Sequence, residues 1–202
     1  KGASLLFVLA VTGVFVDVEA LVPIPSREVG FVYKSGSADA AVRFNIYIDL
    51  ICPASMQAFS TVKKVADYYG PSVLRLTTYL FPLPYHRNGF YAAKGAHAVA
   101  MMTCGNLTYS WFGHCLQKHG LPDQLRHRQH LRQSSGRPHG QVEMDTRIGW
   151  KYCCTRGVAS TPTFMVNDVE VSADPSWTEN EWLDVINPLL GKTQLQHRCR
   201  ST

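Results

Sequence analysis

Charge is scarce in this 202-residue chain: Asp, Glu, Lys and Arg together make up 17% of it, whereas 46% is hydrophobic. That balance excludes an intrinsically disordered chain, which has too little apolar surface to offset the entropy of ordering. The 15 glycines and 11 prolines follow no period, which excludes collagen-like and solenoid architectures. Lys and Arg exceed Asp and Glu by only 20 to 15, less one-sided charge than a nucleic-acid binder concentrates on one face. Beyond the N-terminus, no apolar stretch approaches the ~20 residues needed to span a bilayer. His127 and His130 stand without the further ligands that zinc requires, so no metal site is expected.

The N-terminus is a different object from the rest. Lys1 precedes an apolar run over residues 3–16, followed by Asp17-Val18-Glu19 and Ala20. A basic start, a short apolar run and small or aliphatic residues before a cut form the layout of a secretory signal peptide. Val18 and Ala20 occupy the positions that a signal peptidase reads, placing the cut before Leu21. The plainer readings, a buried strand or a membrane anchor, fit less well, because the run is short for a bilayer. Residues 1–20 are therefore expected to be a leader and 21–202 a single domain of a secreted or secretory-pathway (endoplasmic reticulum lumen) protein without a membrane span. Asn106-Leu107-Thr108 is an N-glycosylation sequon, in keeping with that route. All six cysteines fall after the leader. Cys104, Cys115, Cys153, Cys154 and Cys199 are candidates for structural disulfides, with the adjacent Cys153 and Cys154 reaching separate partners.

The remainder reads as α/β. Over residues 41–48, Val42, Phe44, Ile46 and Ile48 alternate with Arg43, Asn45 and Tyr47, the period of a strand. Pro53 stands where a first helical residue belongs, and Met56, Phe59, Val62, Val65 and Ala66 follow at helical spacing until Gly70-Pro71. Residues 73–81 form a second strand, stopped by Pro82 and Pro84. Strand, helix and strand in that order predict a parallel pair. Residues 86–156 read as mostly helical, over 89–103, 111–119 and 142–152, with a polar break at 133–140. Strands return at 163–166 and 169–171 around Asn167-Asp168, a pair suited to a type I′ hairpin turn. Ser176 or Thr178 caps a last helix carrying Trp182, Leu183, Val185 and Ile186. Trp111, Trp150, Trp177 and Trp182 are expected in the core or at its rim.

Two segments carry chemistry. Cys52-Pro53-Ala54-Ser55 stands where the first strand meets its helix. A cysteine at a helix N-cap faces unsatisfied N–H groups and the positive end of the helix dipole, which favour thiolate over thiol. Ser55, one turn on, can donate a hydrogen bond to that sulfur but cannot form a disulfide. The plainer reading is half of a structural disulfide. Thr161-Pro162, directly before a strand, marks a special backbone feature, since proline cannot donate to a sheet ladder. Residues 118–139 hold Lys118, Arg126, Arg128, Arg132 and Arg137 with four histidines against Asp123 alone. Such a run is most often a solvated face; the sharper alternative is contact with an acidic partner such as a sulfated glycan.

A strand ending in Asp-x-x-Cys-Pro, a helix, a strand ending in Pro-Leu-Pro-x-His, a helical insert and Gly-Val-x-x-Thr-Pro-Thr-Phe together resemble the DsbA-like branch of the thioredoxin superfamily. The resemblance runs from about residue 41 to 190. It implies a thioredoxin-like βαβ…ββα fold with a helical domain inserted at about 86–156. It further implies that Cys52 is the nucleophile, flanked by Pro53 and Ser55, and that Thr161-Pro162 is a cis-Pro loop binding substrate backbone. His86 would open the insert beside that face, capping a helix or stabilising the thiolate.

The chain departs from the family pattern at one position. The family works through Cys-x-x-Cys, whose second cysteine resolves the mixed disulfide; here that position is Ser55. Oxidation of substrate dithiols by this pair is therefore not expected. Isomerisation resolved by the substrate's own thiol, glutathione-dependent exchange and trapping of partner thiols survive, with distant Cys199 as a further resolving candidate. The expected partners are polypeptides bearing thiols or disulfides, with glutathione as a co-substrate and no bound cofactor. The alternatives are a redox-inactive module that holds polypeptides and a glutathione-transferase-like activity. A cysteine hydrolase is disfavoured, because no histidine is placed by sequence as a base for Cys52.

Overall fold

The structure, a computed structural model, describes residues 24, 25, 27–118 and 137–200, without the side chains of 137–139 and 192–200. The expected leader and most of the basic segment at 118–139 lie outside the described residues. Five strands form one sheet: β1 (Phe31–Val32), β2 (Val42–Ile48), β3 (Leu74–Leu80), β4 (Thr163–Val166) and β5 (Val169–Glu170). Their spatial order is β1-β3-β2-β4-β5. β2 and β3 run parallel from Val42↔Leu74 to Ile48↔Leu80, and the other pairs are antiparallel. The parallel pair is joined by α1 (Pro53–Tyr69), and the insert between β3 and β4 carries α2 (Gly89–Thr103), α3 (Thr108–Gln117) and α4 (Arg137–Thr155). A last helix, α5 (Glu179–Arg200), follows β5.

The two-residue period of β2 divides the core between the faces of the sheet. Val42, Phe44, Ile46 and Ile48 join the main cluster, into which α1 sends Phe59, Val62, Val65 and Ala66 and α5 sends Trp182 and Ile186. Trp182 is 1% exposed, its ring 4.7 Å from Phe44 and 5.1 Å from Phe164. Tyr47 faces the other way and stacks on Tyr79 at 4.8 Å, which in turn stacks on Tyr152 of α4 at 5.4 Å. Phe81, Leu83, Cys153, Val158 and Met165 complete this second cluster. Small residues on α2 let the insert close on itself. A Cβ on Gly95 would lie 2.2 Å from the Trp111 ring, and the Trp111 Nε1–H donates to Ala92 O at 3.0 Å.

Most expected elements stand where the periodicity put them, and the ends show why. Asn167 and Asp168 both take positive φ, 49° and 66°, the conformation a type I′ hairpin demands. Thr178, rather than Ser176, is the residue before α5: Glu181 reaches back to accept from the Thr178 N–H at 2.6 Å and from its hydroxyl at 2.9 Å, the carboxylate half of a capping box. Ser176 instead donates to Asp174. The polar break expected over 133–140 is shorter, since α4 already begins at Arg137. Pro138 falls in its first turn, where the N–H groups lack intrahelical acceptors and proline removes no bond. β1 had no counterpart in the sequence reading. It is two residues long and defined by its pairing with β3 and by the Tyr109 hydroxyl donating to Phe31 O at 2.8 Å.

His97 of α2 lies 5.0 Å from the ring of Phe31. Burial pushes its imidazole down from 6.5 to about 4, with Asp145 pulling back and Arg27 adding to the fall. The unfolded chain therefore takes up a proton between these values that the folded chain refuses. The His97 contribution to stability is complete above pH 6.5 and is lost as pH falls towards 4, by at most about 3 kcal/mol. Urea denaturation at pH 7 and pH 4.5 is expected to show a smaller loss for His97→Gln than for the unsubstituted chain. Equal losses contradict the assignment.

Candidate functional site

The site is built on the N-terminus of α1. Cys52 is its N-cap, with extended backbone (φ −77°, ψ 125°) and Pro53 in the first helical position. Its carbonyl accepts the Met56 N–H at 3.1 Å, the first helical bond, and its N–H donates to Asp49 O at 3.1 Å. The residue is 6% exposed. Helix N–H groups were expected to face the sulfur, but no side-chain cap bond is made to it. The thiol instead donates to Thr161 O at 3.4 Å. A neutral thiol has a proton to place and is a weak acceptor, and Pro53 removes one of the helix donors. The Thr161-Pro162 bond is cis, so the two segments read from the sequence meet at the sulfur.

Ser55 is fully buried, yet its hydroxyl has no hydrogen-bond partner; the Thr161 hydroxyl shares that condition. Pro53 is exposed and Pro162 half-buried. Asp49, the acidic residue of the Asp-x-x-Cys-Pro segment, was given no role of its own by the sequence. Asp49 follows β2, and its carboxylate is wholly buried. Oδ1 accepts the Ile51 N–H at 3.0 Å; Oδ2 accepts the Leu83 N–H at 2.8 Å and His86 Nδ1–H at 2.8 Å. Three donors offset the several kcal/mol that burying an unpaired carboxylate costs. His86 thus neither caps α2, whose N-cap is Asn88, nor bonds the sulfur. It locks Asp49, and its ring carries Tyr85, 73% exposed, edge-on at 4.9 Å. An acidic residue at the end of a strand, three before the cysteine, was the available signal.

Solved structures share this arrangement of elements. A DsbA2 from Pseudomonas aeruginosa is 20% identical with a TM-score of 0.61, covering 83% of this chain and 96% of that one. A thiol-disulfide exchange protein, alpha-DsbA2, from Wolbachia pipientis is 14% identical at 0.60, covering 79% and 87%. A periplasmic thioredoxin-like protein from Salmonella enterica serovar Typhimurium is 14% identical at 0.62, covering 80% and 90%. The chain has the DsbA-like thioredoxin fold. No protein-family model and no curated protein matches the sequence.

Within this DsbA-like fold the remaining cysteines stand apart from the site. Cys104, Cys115, Cys153 and Cys154 carry free thiols, so the disulfides expected among these four are not formed. Cys115 belongs to the main core cluster and Cys153 to the cluster on the opposite face of the sheet, while Cys104 and Cys154 are exposed. Burial pushes the Cys115 thiol up to about 12 and raises that of Cys153 further. Cys199 lies in the last turns of α5, where the side chains are not described. Asn106 is exposed beside α3, although Thr108 of the sequon is buried. Among the described residues no group of three His, Cys, Asp or Glu could hold a metal ion. No described helix is long and apolar enough to cross a membrane.

Gly89, the first residue of α2, makes the buried carboxylate testable. A Cβ there would lie 2.9 Å from Asp49 Oδ2, closer than real Cβ contacts, and 3.1 Å from Oδ1. Gly89→Ala is expected to destabilise the protein by about 1–3 kcal/mol in urea denaturation, as overpacking does. Asp49→Ala leaves the Leu83 N–H unpaired and is expected to cost about 3 kcal/mol. In that background the obstacle is gone, so Gly89→Ala becomes neutral or stabilising. An unchanged penalty for Gly89→Ala there contradicts the close approach.

Proposed function

We propose that this protein catalyses thiol–disulfide exchange on polypeptides through one nucleophile, Cys52. The observation that carries the reading is the meeting of the α1 N-cap thiol with the Thr161-Pro162 loop. It stands in the fold of a protein named for thiol–disulfide exchange. The Cys52 sulfur, as thiolate, attacks a substrate disulfide. A new S–S bond joins Cys52 to one substrate sulfur, the old bond breaks, and the other sulfur leaves as a thiolate that takes up a proton.

Ser55 cannot displace the bound substrate, and Cys115 and Cys153 are held as buried thiols. In this reading the mixed disulfide is resolved from outside, by a second thiol of the substrate, giving isomerisation, or by a small thiol such as glutathione. Function in the secretory pathway, with residues 1–20 removed and Asn106 glycosylated, is part of this proposal, since such exchange needs disulfides to act on. The second reading, a redox-silent module that holds polypeptides, draws on the 6% exposure of Cys52.

Refolding of a scrambled-disulfide substrate in a thiol buffer separates the two. The unsubstituted protein is expected to accelerate reshuffling and to yield an acid-trapped mixed disulfide at Cys52. Cys52→Ser is expected to fall to the uncatalysed rate, and Ser55→Cys to shorten the life of the mixed disulfide by supplying a resolving thiol. If Cys52→Ser suppresses aggregation as well as the unsubstituted protein, with no reshuffling by either, the binding module is the correct reading.

A further inference from the structure

We propose that an N-linked glycan at Asn106 is added before α3 packs, and that this sugar covers the apolar groove between α2 and α3. The inference rests on the secretory part of the proposed function, which supplies the transferase, and is independent of exchange at Cys52.

Thr108, the last residue of the Asn106-Leu107-Thr108 sequon, holds an oxygen that the fold leaves idle. It is the first residue of α3 and 2% exposed. Its hydroxyl is one of four buried side-chain oxygens without a hydrogen-bond partner among the described residues. Buried hydroxyls are almost always hydrogen-bonded, and one left unpaired costs free energy. Valine would fill the same space without that cost. Transfer of a glycan to Asn-x-Ser/Thr, by contrast, needs the hydroxyl. The folded chain keeps it inside, so transfer to Asn106 precedes the packing of α3.

The turn leaves the acceptor amide open. Cys104 and Gly105 take positive φ, 49° and 86°, and end α2. The Asn106 N–H donates to Thr103 O at 3.0 Å, and the Leu107 N–H to Thr103 Oγ1 at 3.3 Å. These bonds hold the backbone of the sequon and none of them uses the side chain of Asn106, which is exposed.

Beside that amide the surface is apolar. Val99, Leu107, Ser110, Trp111 and His114 line a groove of about 320 Å³. Leu107 is 54% exposed, and Met102, one turn of α2 beyond Val99, is 84% exposed. Contiguous apolar surface of this kind marks a place that something covers. Asn106 is the residue next to Leu107, so a sugar on its amide starts about 3.8 Å of chain from the rim. The C–H faces of a sugar ring pack on side chains such as Leu107 and Trp111, while its hydroxyls stay in water. The covalent tether decides the occupant, since a free ligand or a second copy competes with a group bonded one residue away. The same sugar stands two residues from Cys104, an exposed free thiol, and shields it.

The co-reactant is an oligosaccharide carried on a lipid diphosphate. Asn106 Nδ2 attacks its anomeric carbon; a C–N bond forms and the C–O bond to the diphosphate breaks. The diphosphate leaves with the electron pair, and the amide gives up one proton. Nothing is oxidised or reduced.

The test expresses the full chain in a eukaryotic secretory cell, reads Asn106 by peptide mass spectrometry, and strips the glycan enzymatically from half of the sample. A glycan at Asn106 is expected, absent in Asn106→Gln and Thr108→Val and kept in Thr108→Ser. Stripping is expected to speed maleimide labelling of Cys104 several-fold and to make the protein self-associate in sedimentation as its concentration rises. In protein made without glycosylation, Thr108→Val is expected to raise the urea midpoint; a lowered midpoint gives the hydroxyl a place in the fold and overturns the role assigned to it. Secretion with Asn106 bare overturns this inference and leaves the secretory reading standing. A glycan whose removal changes neither Cys104 labelling nor association overturns the covering role. A chain that stays in the cytosol without sugar overturns both readings.

Discussion

The buried carboxylate of Asp49 is the constraint on which the rest of the site depends. It sits at the end of β2, where the chain leaves the sheet to start α1, and it gathers three donors from two separate segments. One donor, Ile51 N–H, belongs to the turn that carries Cys52. The other two, Leu83 N–H and His86 Nδ1–H, belong to the segment leaving β3 for the insert. A charge removed from water is tolerable only with such partners, so the three bonds are kept or lost together. The cysteine turn is thereby tied to the root of the helical insert, and Gly89 lets α2 begin against the same carboxylate. The second half of the site arrives from β4, whose antiparallel register on β2 puts Thr163 opposite Tyr47 and brings Thr161 O to the sulfur.

Position 55 sets what that frame can do. With serine there, the proposed exchange has one sulfur, that of Cys52, and a hydroxyl at position 55 that cannot form a disulfide. The two buried thiols, Cys115 and Cys153, belong to the core clusters on opposite faces of the sheet. Proposed turnover thus depends on thiols supplied from outside.

Much of the fold was legible because it is written in local pattern. The alternation of Val42, Phe44, Ile46 and Ile48, the helical spacing from Met56 to Ala66 and the Asn167-Asp168 turn each encode their element without outside help. The cysteine and proline segments were legible for the same reason, since Pro53 and Pro162 restrict their own backbone. What the sequence hid is long-range. β1 is two residues whose strand character comes from pairing with Thr77 and Thr78. The role of Asp49 depends on Leu83 and His86, more than thirty residues on, and no periodicity announces it. His86 looked like a cap because it precedes a helix; the carboxylate that claims its ring comes from another strand end. Disulfides were expected from six cysteines lying after a secretory leader, and that pattern says nothing of the sheet that separates Cys115 from Cys153.

The most direct measurement is iodoacetamide labelling of the native, reduced protein at neutral pH, followed cysteine by cysteine with peptide mass spectrometry. Cys52 reacts in the folded state and Cys115 and Cys153 only after unfolding, if the thiol at the head of α1 is the working nucleophile. A Cys52 that stays unlabelled until the protein unfolds contradicts that claim.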